Sequence, residues 1–181
     1  MSLALRRAVV VLAGALLAAC ATVPPPQTAT SGDSFAGRMT VRVDAAPGSE
    51  ARNVSAVFDL QGNPQQGRLD LSTPLGTMLA QARWAPGRVV LASSRGETQF
   101  ADLDALTREV LGESLPVAAL FDWLRGRPWP GAPSTPSAPP AEAGFTQLGW
   151  VVSVAKLDEG WVTARRVQAP IVLVRVKLDH S

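Results

Sequence analysis

Between Asp102 and Gly126 the chain carries two short helical patterns in tandem, set in a sequence that otherwise alternates like a β-sheet. Leu103, Leu106, Val110 and Leu111 recur at helical spacing on one face. Asp102 stands at the N-cap position and Gly112 where a C′ glycine belongs. A second pattern, Val117, Leu120, Phe121 and Leu124, is opened by Pro116 at the first helical position and closed by Gly126. Two helices this short cannot bury their apolar stripes on each other alone, so they need a large apolar partner. The flanking strands are the only candidate. The expectation is a curled antiparallel sheet with a short-helix lid against its concave face, over either a solid core or an apolar cavity.

The strands are legible by period-two alternation. From Ser34, the residues Phe35, Met39, Val41 and Val43 share one face while Arg38, Thr40 and Arg42 share the other. Val54, Ala56, Phe58 and Leu60 alternate next, then Leu69 and Leu71, then Met78, Ala80, Ala82 and Trp84, then Val89 and Leu91. A short strand over 97–100 precedes the helices. After them, 127–144 is rich in Pro, Ala and Ser and reads as a loop outside any packed element. Strands resume from Phe145 through Trp150, Val152 and Val154, then Trp161–Arg165 and Ile171–Leu178. Roughly eight to eleven strands joined mostly by hairpins predict a mainly β fold with a helical insert: a half-open antiparallel barrel of about eleven strands.

The N-terminus has a different composition. Arg6 and Arg7 precede an apolar run, Ala8–Leu17, too short to span a bilayer stably. Leu17-Ala18-Ala19-Cys20 then matches the bacterial lipobox, and Cys20 is the only cysteine in the chain. Residues 1–19 therefore read as a lipoprotein signal peptide. Residues 20–33 read as a lipidated Cys20 with a flexible, partly polyproline tether, and 34–181 as the folded domain. Ala21 rather than Asp follows the cysteine, which favours the outer membrane, since Asp there is the usual inner-membrane retention signal in enteric bacteria. Removing Arg6 and Arg7 from the 17 Lys+Arg leaves 15, against 15 Asp+Glu, so the processed chain is formally neutral. The basic isoelectric point of the unprocessed chain belongs partly to the signal peptide and argues nothing for nucleic acid.

Enzyme readings find no residues to carry them. With Cys20 acylated, no thiol remains for a disulfide, a metal site or a nucleophile. The only histidine, His180, is penultimate, so Gly32-Asp33-Ser34-Phe35 has no partner at the spacing that GDSL-type hydrolases use. One histidine supports no transition-metal site and no cofactor motif or phosphate-binding loop is present.

Several signatures, in order, resemble the LolB family of outer-membrane lipoproteins. They are Phe35-x-Gly37-Arg38, Phe58 in the second strand, Leu69-x-Leu71 leading to Pro74-Leu75-Gly76, and Leu111-Gly112 before Leu115-Pro116. Trp123-Leu124-Arg125-Gly126 and Gln147-x-Gly149-Trp150 complete the series, which spans Ser34 to Leu178. Two positions depart from the family pattern: Leu60 stands where a tryptophan is usual, and 179–181 lack a C-terminal tryptophan.

The resemblance implies a half-open barrel with a helical lid and no enzymatic activity. It implies a monomeric receptor, facing the periplasm, that accepts lipoproteins by their acyl chains from a LolA-like carrier and inserts them into the inner leaflet of the outer membrane. It also implies that Leu75, held in a turn between Pro74 and Gly76, protrudes to touch the membrane. Trp129, between Pro128 and Pro130, fits a lid-packing tryptophan better than an interfacial one.

Hiding one sixteen-carbon chain is worth on the order of 12 kcal/mol at about 0.8 kcal/mol per methylene, which polar contacts could not supply. Candidates to line an acyl-chain cavity are Phe35, Met39, Val41, Phe58, Leu69, Leu71, Met78, Leu91, Leu106, Leu120, Phe121, Trp150 and Val152. Periodicity marks the inner face without saying what fills it, so a scaffolding lipoprotein with a filled core is the alternative.

Overall fold

The computed structural model describes residues 32–48 and 50–179. The signal peptide, Cys20, most of the tether and His180 lie outside the described residues.

The first half is a meander: β1 (Asp33–Val43), β2 (Arg52–Gly62), β3 (Gly67–Ser72), β4 (Met78–Ala85), β5 (Arg88–Ser93) and β6 (Gly96–Phe100). Helices α1 (Leu103–Leu111) and α2 (Val117–Trp123) follow. A second meander comprises β7 (Ser134–Pro136), β8 (Gly144–Gln147), β9 (Trp150–Ser153), β10 (Trp161–Arg166) and β11 (Val172–Leu178). All eleven strands belong to one sheet, in the order β6-β5-β4-β3-β2-β1-β11-β10-β9-β8-β7. Every pairing is antiparallel, and the two meanders join where β11 lies beside β1, with Val41 opposite Val174. The outermost strands, β6 and β7, do not pair with each other, so the sheet is open.

This topology explains the helices. After β6 the chain stands at one edge, and it must reach the opposite edge before β7 can form. The crossing runs over the face on which Val41, Phe58, Trp84, Val152 and Val174 are buried, so its apolar stripes find their partner there. The caps follow the expected chemistry. Asp102 Oδ1 accepts from the Ala105 N–H at 2.7 Å, and Gly112, at φ 80°, donates its N–H to the Arg108 carbonyl. That left-handed conformation is one in which glycine meets no Cβ penalty. Pro116 sits one position earlier than expected, as the residue flanking α2 rather than its first turn.

Two readings of the second half are corrected. The stretch from Phe145 through Val152 is a hairpin rather than one strand, because Leu148 (φ 54°) and Gly149 (φ 78°) form a two-residue turn between β8 and β9. Two consecutive positive φ values are the mark of a type I′ turn, whose usual residues are Asn-Gly rather than Leu-Gly. The Pro-rich 127–144 segment also contributes a short, exposed edge strand, β7, paired with β8 at Pro136–Phe145. Proline is tolerated there because β7 is an edge strand and its missing N–H breaks no second ladder.

Candidate functional site

The inner face is filled differently on its two sides. Under the second meander it is solid. Trp123 of α2 is fully buried, with ring centroids 6.4 Å from Phe145 and 6.1 Å from Trp150, and Val152 is fully buried beside them. Gln147, only 2% exposed, is the polar centre of this packing. Its Oε1 accepts from the Trp123 indole N–H (2.8 Å) and the Trp129 backbone N–H (2.9 Å). Its Nε2 donates to the carbonyls of Trp129 and Ala132, both at 2.7 Å. The amide thus has all its near partners, and it clamps the start of the 127–144 segment against β8. Trp129 packs partly buried against the core.

Phe121 marks the boundary. Buried to 1% exposure, its ring meets Phe35 and Trp84 edge-on at 6.5 and 6.2 Å. The Trp84 indole is fixed in turn by donating to the Asn63 carbonyl at 2.9 Å.

Under the first meander the packing is incomplete. An apolar pocket of about 150 Å³, partly open to solvent, lies between α1, α2 and strands β1–β4 and β11. Thr107 is the one polar side chain among its walls, and its hydroxyl is satisfied: it donates to the Asp104 carbonyl and accepts from the Leu115 N–H.

Of the thirteen sequence-derived lining candidates, the structure brings seven to this void: Met39, Val41, Phe58, Leu69, Leu71, Leu106 and Leu120. Phe35, Phe121, Trp150 and Val152 lie in or against the packed core, and Leu91 packs half-buried beside it. Met78 stands 59% exposed at the start of β4. Leu75 is 94% exposed in the β3–β4 turn. Wall residues not singled out from the sequence include Val54, Leu60, Trp84, Leu115, Leu124, Val174 and Val176. Alternation and helical spacing put most of these on the inward face, but nothing in one sequence separated wall from filled core.

Arginines hold the helices at their ends. Arg52 of β2 donates to the carbonyls of Glu109 (3.3 Å) and Val110 (2.7 Å), capping the C-terminus of α1. Arg166 of β10 reaches Glu113 at 2.8 Å. After α2, Arg125 pairs with Asp33 and Asp122 and lies 5.8 Å from the centre of the Phe35 ring. Burial, and secondarily the neighbouring Arg127 guanidinium, push the Arg125 pKa below its ordinary value. The two helices are held differently: α2 is anchored by the buried Trp123–Gln147 hydrogen bond, while α1 is held by its buried Leu106 and Leu111 and, at its C-terminal end, by the exposed Arg52 contact. Among the described residues, no group of three or more His, Cys, Asp or Glu side chains is placed to hold a metal.

The fold, the void and the exposed turn can be set beside known proteins. Residues 34–180 match the family model described as outer membrane lipoprotein LolB. The Outer-membrane lipoprotein LolB of Bordetella petrii is 36% identical over 151 residues, covering 80% of this chain and 75% of that protein. That of Chromobacterium violaceum is 31% identical over 153 residues, covering 81% and 80%. That of Ralstonia nicotianae is 33% identical over 171 residues, covering 88% and 81%. The match runs from the first residues of β1 to the end of β11, and on that ground this chain belongs to the LolB family of outer-membrane lipoproteins.

Proposed function

We propose that the chain is an outer-membrane-anchored receptor of lipoprotein sorting. It accepts lipoproteins by their acyl chains from a LolA-like periplasmic carrier and passes them to the inner leaflet of the outer membrane. The observation that carries this reading is the void between the helices and the first meander, walled by aliphatic and aromatic side chains. A scaffold gains contacts by filling such a space. A binding protein must leave it.

The size of the void sets the mechanism. A cavity near 150 Å³ suits a guest of benzene's size, whereas a lipoprotein acyl chain has more than twice as many carbons. Cargo therefore needs more room than the resting pocket offers, and we take α1, whose C-terminal end is held by the exposed Arg52 contact, as the wall that moves. In this reading α1 is the moving part of the lid and α2 its fixed base. Exchange needs no nucleotide: the acyl chain moves downhill in affinity from carrier to receptor to bilayer. Leu75 supplies the membrane contact at delivery. Cys20 carries the acyl anchor, with residues 1–19 removed and 20–33 serving as tether.

The test uses the chain carrying Cys20→Ala, purified and analysed by mass spectrometry for bound acyl ligand and by fluorescence for uptake of an acyl dye. One ligand per chain, displaced by a lipoprotein offered on the carrier, is expected. A chain that binds neither is a scaffold with an idle void. The same substitution is expected to free the protein from outer membranes, and a Cys20→Ala chain that still pelleted with them after a high-salt wash would rule out the lipid anchor.

A further inference from the structure

The outer face of the sheet centre carries a charge pattern that the inward-facing site does not use. On β1, β10 and β11 the residues alternating with the buried valines point away from the helices. Three cross-strand rows can be followed through the pairing register. In the first, Arg38 lies directly opposite Lys177, which lies opposite Trp161. In the second, Arg175 sits between Thr40 and Thr163. In the third, Leu173 separates Arg42 from Arg165. These rows hold five cations and no carboxylate. Arg42 is compensated from beyond the strand end by Asp44 at 2.8 Å, but Arg38, Arg165 and Arg175 are exposed and have no carboxylate partner among the described residues. The guanidinium of Arg175 and the ammonium of Lys177 both lie 5.5 Å from the centre of the Trp161 ring.

Like charges placed directly opposite on neighbouring strands, as in Arg38 and Lys177, weaken a sheet. A chain that balances its charges elsewhere, at Arg83–Glu97, Arg166–Glu113 and Arg125–Asp33, leaves Arg38, Arg165 and Arg175 on this face without a carboxylate partner among the described residues. The first row also continues the other way: Arg38 pairs with Val57 and Val57 with Ser72, the residue at which the Leu75 turn begins. Two strand spacings, about 10 Å, thus separate Arg38 from β3, the strand that leads into the Leu75 turn. Cations, an amphipathic indole and a protruding apolar turn together match the layers of a bilayer surface: anionic headgroups first, acyl region beneath.

We infer that the outer face of β1, β10 and β11, with Arg38, Arg165, Arg175 and Lys177, is an electrostatic docking surface for anionic phospholipid headgroups, orienting the domain so that the Leu75 turn meets the bilayer. This rests on the membrane-contact part of the reading above, and the experiment separates the two.

The full chain carrying Cys20→Ala, so that no acyl anchor contributes, is sedimented with vesicles of phosphatidylcholine alone or mixed with phosphatidylglycerol. The triple variant Arg38→Gln, Arg165→Gln, Arg175→Gln is compared with a charge-matched control, Arg88→Gln, Arg95→Gln, Arg108→Gln. Each cation near an anionic surface is worth about fivefold in partitioning, so the first triple is expected to lose roughly a hundredfold on mixed vesicles at low salt. The control should lose no more than a few-fold, and high salt should erase the difference. Neither should matter on phosphatidylcholine. Leu75→Glu should weaken binding to both vesicle types and leave the headgroup dependence intact, so its failure tests the membrane-contact reading separately. Replacing the same three arginines with lysine guards against a folding artefact, because it should restore binding. Equal losses in the two Gln triples, unchanged binding of the first, or no rescue by lysine would overturn the inference. So would a first triple that binds vesicles normally but no longer docks an acidic protein.

Discussion

The indole N–H of Trp123 donates to Gln147 Oε1 at 2.8 Å, joining the last turn of α2 to the end of β8 in the most completely buried part of the protein. The same oxygen accepts the Trp129 N–H, so one amide fixes the helix, the loop behind it and the strand beneath. Gln147→Ala would leave two donors and two carbonyls without their partner. We expect a loss of about 3 kcal/mol, read as a lower denaturant midpoint with an unchanged slope. Gln147→Glu adds a pH dependence. Its carboxylate would be desolvated and would face the Trp129 and Ala132 carbonyls, so its folded-state pKa must rise above the unfolded value of about 4.3. The native state then holds the proton longer, and the stability present below that pH is lost as pH rises through the folded-state pKa. A variant equally stable at pH 4 and pH 8 would mean that the carboxylate reaches solvent.

The contrast between solid and hollow sides predicts opposite outcomes for two substitutions. Phe121 is packed between Phe35 and Trp84, so Phe121→Ala should cost about 4 kcal/mol and Phe121→Asp should unfold the domain. Leu69 is half-buried on the wall of the void, so Leu69→Phe can grow into empty space. Its melting temperature should stay within a few degrees of the parent while acyl-dye uptake falls several-fold. Undiminished uptake by Leu69→Phe would place the acyl site elsewhere.

Local signals of fixed chemistry were readable in advance. Asp102 and Gly112 bound α1 where cap preferences put them, and the alternation of Val41, Val43 and Phe58 marks the inner face as it lies in the sheet. Turns that break residue preference were not readable. Leu148, the one non-glycine described residue with positive φ, hides a hairpin inside what reads as one strand. The distinction between wall and core was also hidden, because Phe121 and Leu120 are neighbours on one helix with the same hydropathic signature. Leu120 borders the void while Phe121 fills a gap between two rings. Only the packing of partners distant in sequence separates them. Gln147 likewise resembles any strand glutamine until Trp123, Trp129 and Ala132 converge on it.

In the proposed reading, the grip of Arg52 on α1 is a handle on the movement of that helix. Its guanidinium donates to two carbonyls at the helix C-terminus, where a cation also complements the helix dipole. The contact is exposed, so Arg52→Ala should cost only about 1 kcal/mol of global stability. If α1 is the moving wall, the same change should speed amide exchange across 103–111 while 117–123 keeps its protection. Acyl-dye uptake should quicken in parallel. Faster exchange in both helices together would mean that the lid moves as one piece.

Leu75 offers the sharpest separation of receiving from delivering. The turn that carries it is closed by the Gly76 N–H to the Thr73 carbonyl (2.9 Å) and by the Thr77 N–H to Thr73 Oγ1 (3.1 Å). Pro74 takes the position that proline prefers in such a turn, and Gly76 at φ 85° lets the chain return to β4. The backbone is therefore fixed without help from the leucine side chain, which is 94% exposed. Leu75→Glu should change stability by about 0.5 kcal/mol or less. A carboxylate carried into the acyl region costs a few kcal/mol, enough to slow a membrane step by one to two orders of magnitude. The variant should accept a lipoprotein from the carrier at the parental rate and fail to release it into liposomes. Parental transfer by Leu75→Glu would refute the membrane-contact role, and parental binding with slow release would establish that loading and delivery use different parts of the molecule.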